Sequence, residues 1–123
     1  MVKFRIDRAR RLIEIEIAGN YLLEHAQTLA RNLRADPDFD PEFAQIIDCR
    51  DADLSSLTTE DLREIAADLL SVPGRRIAIV SKDSSDEALV RLYATYVQLT
   101  ENKSVLRSFH DRGSAIAWIE EAR

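Results

Sequence analysis

The feature that most constrains this chain is the way its hydrophobic period switches. It opens with two stretches of period two and then alternates between helical and strand patterns to the end. Val2, Phe4 and Ile6 alternate with polar residues, and Asp7-Arg8-Ala9-Arg10 interrupts them. Alternation resumes with Ile13, Ile15 and Ile17 against Leu12, Glu14 and Glu16, and Gly19-Asn20 ends it. Two alternating runs joined by a short polar turn predict a β-hairpin. The glutamates set one of its faces in water or against a polar neighbour.

Beyond the hairpin the period becomes helical. Leu22, Ala26, Leu29 and Leu33 share one helical face, and Asp36-Pro37 ends it, because the residue before a proline avoids helical geometry. Phe39 and Phe43 are expected to pack the connection onto the core. Ala44 to Cys49 reads as a short strand needing cover on both faces, with Asp51 to Leu57 as a loop. Thr58 is the expected N-cap of a second helix, with Glu60 and Asp61 at its positive end and Leu62, Ile65, Ala66 and Leu69 inward. Ile77 to Val80 is a continuous apolar strand. Ser84 with Glu87 has capping-box spacing, and Ala88, Leu89, Leu92, Tyr96 and Leu99 mark the expected inner face of a third helix. Val105 to Phe109 is the last strand, and Asp111 caps a helix that buries Ala115, Trp118, Ile119 and Ala122.

The order predicts an α/β fold: a five-stranded mixed sheet, N-terminal hairpin then alternating βα units, with four helices. Strands two to five should be mainly parallel, with the first antiparallel at an edge. At 123 residues the chain is expected to form a single domain over 1–123 with one core. Its 46% hydrophobic and 32% charged residues fit a folded domain, and 3 Gly and 3 Pro leave no room for long flexible linkers.

Charge and cysteine content narrow the setting. A net charge of -5 favours neither nucleic acid nor an anionic membrane. The only paired basic residues, Arg10-Arg11 and Arg75-Arg76, read as solvated strand ends. One cysteine, Cys49, cannot form an internal disulfide, and no stretch is long and apolar enough for a signal peptide or membrane span, so the cytoplasm is expected.

No catalytic constellation is legible. His25 and His110 are far apart, no Gly-x-Ser-x-Gly elbow exists, and the histidines and Cys49 have no zinc-site spacing. The carboxylates of Asp48, Asp51 and Asp53 could meet a hard cation, but they lack the pattern of a dedicated calcium loop and read as a solvated turn. No metal, cofactor or catalytic residue is expected.

The element order, with the Ala44-to-Arg50 strand, the Thr59-Glu60-Asp61-Leu62 helix start, the Arg76-to-Val80 strand, Leu89-to-Tyr93, Phe109-His110-Asp111 and Ala117-Trp118-Ile119, resembles the STAS domain. This domain is named for sulfate transporters and anti-sigma-factor antagonists. The nearer likeness is to small stand-alone bacterial STAS-like proteins of mostly unassigned function. In the antagonists the third strand leads to an Asp-Ser-Ser-Gly turn whose serine is phosphorylated. Here Ser55-Ser56 occupy that region, and Leu57 stands where the glycine would be.

The resemblance therefore implies a regulatory, non-enzymatic interaction module without the family's phosphoserine switch. Its partner would be a protein, with a second copy of the chain among the candidates, docking on Asp51, Asp53, Ser55, Ser56, Thr58, Thr59 and Asp61. The alternative is a domain that binds a small ligand, a lipid or an anionic metabolite. Ligands of open α/β sheets sit at the carboxyl ends of the parallel strands. The expected pocket residues are accordingly Asp48, Arg50, Ser81, Leu89, Tyr93 and His110.

Overall fold

The computed structural model describes residues 1–123. Its elements in chain order are β1 (Val2–Asp7), β2 (Leu12–Asn20), α1 (Leu23–Ala35), β3 (Ala44–Asp53), α2 (Thr59–Asp68), β4 (Arg76–Val80), α3 (Ser84–Leu99), β5 (Val105–Phe109) and α4 (Arg112–Glu121). The strands lie side by side in sequence order, β1-β2-β3-β4-β5. β1 and β2 are antiparallel, and every later pairing is parallel.

The hairpin closes where sequence placed it. Asp7 accepts the backbone N–H of Arg10, and Arg11 takes a left-handed conformation with φ 53°. The register sets Lys3 opposite Glu16 and Arg5 opposite Glu14, so both cross-strand pairs are ion pairs, at 3.2 and 2.7 Å. Glu14 also pairs with Arg112 at the start of α4.

Topology divides the helices unequally. Each crossover from β2 to β5 steps one strand in the same direction. A single crossover hand therefore sends α1, α2 and α3 to one face, and α4, which follows the last strand, covers the other. Strand parity supplies both faces with apolar groups. Ile13, Ile15, Ile17, Cys49, Ile77 and Ile79 face α1–α3 and meet Ala26, Leu33 and Val90. Leu12, Ile46, Ala78 and Val80 face α4 and meet Ala115, Trp118 and Ile119.

Four expectations need correction. β3 does not stop at Cys49 but runs to Asp53, because β2 also continues and pairs Ala18, Gly19 and Asn20 with Asp51, Ala52 and Asp53 beyond a register shift. The irregularity hides that extension, since the buried Ala52 and Leu54 alternate with Asp51 and Asp53 out of phase with Ile47 and Cys49. α3 is capped by Asp83, whose side chain accepts the N–H of Asp86, and not by Ser84. Its buried positions are Asp86, Val90 and Val97, while Ala88 is exposed and Leu99 is 74% exposed. α3 packs against both the sheet and α2, so it has two apolar stripes. Leu92 and Tyr96 are only half-buried, and Arg63 of α2 lies 5.1 Å from the Tyr96 ring centroid. Ala122, just past α4, is also exposed.

No helix is long and apolar enough to cross a membrane.

Candidate functional site

A cleft of about 880 Å³ opens on the three-helix face, between α1, α2 and the sheet. Its floor is laid down by strand parity. Ile15 of β2 and Ile47 of β3 stand side by side, and Gln45 lies between Ile13 and Ile77 in the neighbouring row. Its walls are open because the helices face each other with small side chains, Ala26 and Ala30 on α1 and Ala67 on α2. α1 accordingly touches α2 far more sparsely than α2 touches α3. One rung crosses the gap at the rim: Arg34 Nη1 lies 3.2 Å from Asp68 Oδ1, and its Nη2 donates to the Asp68 carbonyl.

Of the 22 lining residues 15 are hydrophobic, so the polar ones stand out. Gln45 is only 6% exposed. Burial pushes the phenols of Tyr21 and Tyr93 above the ordinary tyrosine range. The positive charge of Arg75 opposes that rise at Tyr93, and Asp68 adds to it. Arg75, 5% exposed, donates to the carbonyls of Pro41 and Leu70 and to the Ser104 hydroxyl. No carboxylate comes within ion-pairing distance of it. Burial pulls its guanidinium below the ordinary arginine value, but arginine keeps its proton throughout. An apolar trough with a few convergent polar groups is the usual make-up of a small-molecule site, and its volume lies within the common range of roughly 300–1,000 Å³.

Sequence reasoning placed the ligand groups elsewhere. Of the expected pocket residues only Tyr93 lines the cleft. Leu89 packs against the core of the same helical face. Asp48 is bound by Arg50 through two side-chain contacts at 3.0 and 2.8 Å; these bonds hold its carboxyl below the usual range against the opposing effect of burial. Ser81 is fully buried, and its hydroxyl has no partner. His110 Nδ1 lies 3.3 Å from the Ser81 carbonyl and Nε2 3.1 Å from Glu87, so the imidazole is turned to a carbonyl and a carboxylate and not to the serine hydroxyl.

The residues expected to dock a partner are largely committed to local structure. Asp53 accepts from both the backbone and the hydroxyl of Ser55, bonds that lower its pKa. Thr58 and Asp61 close a reciprocal capping box at the start of α2, 3.0 and 2.9 Å. Asp51, Ser56 and Thr59 are exposed. No three carboxylate, imidazole or thiol groups converge into a set able to hold a metal ion.

Gln45 and Arg75 were missed. Both are readable in retrospect from parity alone. Gln45 shares its face with Ile47, and Arg75 stands two residues before Ile77, hence on the same inward face.

No family model matches the chain, and no curated protein matches it. Among solved structures, it is similar to an uncharacterized protein of the DUF3478 family with a SpoIIAA-like fold from Shewanella loihica PV-4. The two share 19% identity over 96% of this chain and 93% of the other, with a TM-score of 0.62. At that identity the likeness concerns the backbone, and the chain is a SpoIIAA-like, that is STAS-like, α/β fold.

Proposed function

We propose that the chain is a non-enzymatic binding module that takes one elongated, mainly apolar small molecule in the cleft between α1 and α2. The observation that carries this reading is the cleft itself, lined mostly by hydrophobic side chains with the buried polar groups of Gln45 and Arg75 among them. Its length supports an extended ligand: lining residues run from Leu23 to Arg34 of α1, about 16 Å at the helical rise of 1.5 Å per residue. No histidine, cysteine, serine, threonine or lysine lines it. Its two carboxylates, Glu64 and Asp68, are exposed at the rim, and Asp68 is held by Arg34, which favours binding over covalent or proton-transfer chemistry. Regulation by such a module would act through occupancy, since a ligand bridging two sparsely touching helices changes the surface they present. The rival reading, protein docking through the Asp51-to-Asp61 segment, is less favoured because four of its polar side chains already serve a turn and a cap.

Titration with Nile red, a neutral apolar dye, tests the proposal. The unmodified protein should bind it with saturable fluorescence enhancement. Ala30→Trp, which fills the trough from α1, should weaken binding at least about tenfold, a loss of about 1.4 kcal/mol, while circular dichroism stays unchanged. Absence of saturable binding to the unmodified protein would refute the reading.

A further inference from the structure

Arg75 is a buried cation whose protein acceptors are all neutral. Its guanidinium carries five N–H groups. Nε and Nη2 bond the Ser104 hydroxyl at 3.3 and 3.1 Å, Nη2 also bonds the Leu70 carbonyl, and Nη1 makes one bond, to the Pro41 carbonyl at 3.1 Å. Nη1 has two N–H groups, so one is left without an acceptor. The residue lines the cleft together with Gln45 and Tyr93. Removing a guanidinium from water without a counter-anion is costly, and the remedy is an anion that arrives with the ligand.

We infer that the ligand is an amphiphile with a carboxylate head, bound head-inward, the carboxylate on Arg75 and its oxygens within reach of donors from Gln45 and Tyr93. This rests on the binding reading above and specifies the class of molecule. The apolar body then lies along Ile15, Ile47 and Ala30. A single charge fits better than a double one. Arg75 is the only cation buried among the lining residues, while Arg31 and Arg34 are exposed at the rim and Arg34 is held by Asp68. A phosphate monoester would carry a second negative charge into the cleft with no buried partner for it. Arg75 also ties together the loops at Pro41, Leu70 and Ser104, so a purely structural role is the alternative to be separated.

Calorimetric titration of the unmodified protein with decanoate, decanol and decyl phosphate at neutral pH makes the separation. Decanoate should bind at least about tenfold more tightly than decanol, in line with the strength of charge-assisted hydrogen bonds, and more tightly than decyl phosphate. In Arg75→Gln the preference for decanoate over decanol should vanish while decanol affinity is kept; Arg75→Lys should restore part of the preference. Equal affinity for decanoate and decanol would overturn the head-group assignment and leave the apolar binding reading standing. Tighter binding of decyl phosphate would overturn the choice of carboxylate, and binding of none of the three would overturn both. Should Arg75→Gln fail to fold, the acid-to-alcohol ratio of the unmodified protein still decides.

Discussion

Cys49 shows how position sets chemistry for a single side chain. It is 5% exposed on the inner face of β3. Burial pushes its thiol up to about 12, with the charges of Asp48 and Asp86 acting in the same direction. A folded-state value above the unfolded one means that this group favours the fold below its ordinary value, about 8.5, and loses that contribution as pH rises towards 12. Ellman's reagent at about pH 8 should therefore leave the native thiol intact and titrate one thiol after denaturation. Rapid reaction of the native protein would show the site to be open. Asp48 behaves oppositely: its depressed value makes the Arg50 pairing a stabilising contact at neutral pH that is lost on acidification through the carboxylate range. At this scale the polar residues of the cleft were the least legible. Arg75 follows proline and glycine and precedes a second arginine, a setting that reads as a solvated strand end. Only its parity with Ile77 turns it inward, and parity is trustworthy only once the strand's first residue is known.

Among the elements, strands were more legible than helix faces. A strand has two faces, and alternation assigns them; a helix packed on two neighbours has a broad apolar arc whose centre the sequence does not fix. α2 matched its expected face at Leu62 and Ala66, whereas α3, packed on both the sheet and α2, did not match at Ala88 and Leu99. α4 was read correctly at Ala115, Trp118 and Ile119 because it alone covers its side of the sheet. Trp118 is its anchor. Its ring lies 5.6 Å from that of Phe109 and 4.8 Å from the Arg76 guanidinium, and Arg76 also donates to its carbonyl. Trp118→Ala should cost about 3–5 kcal/mol of stability in urea denaturation, because no second helix can close over the vacated surface. A loss under about 1 kcal/mol would mean that α4 is not the lid of that half-core.

For the molecule as a whole, the unequal division of helices is the decisive property. Three helices share one face and one helix serves the other, so spare volume collects where α1 and α2, separated by the long β3 connection, meet across small side chains. The strand order was not legible, but the strand directions were, because a hairpin and short crossovers permit few alternatives. The cleft was not, since its width depends on how two helices distant in sequence come to rest. Open α/β sheets led to an expectation at the carboxyl ends of the strands; the large cavity lies instead on the helical face, over Gln45 and Arg75 near the strands' amino ends. Backbone amide NMR during titration with decanoate locates the ligand without any mutation. Saturable shifts should concentrate at Ala26, Ala30, Gln45, Ile47 and Ile65, with Asp51 to Thr58 and Ser81 to Ser85 unmoved. Shifts confined to those two carboxyl-end loops, or no shifts at all, would contradict binding in the cleft between α1 and α2.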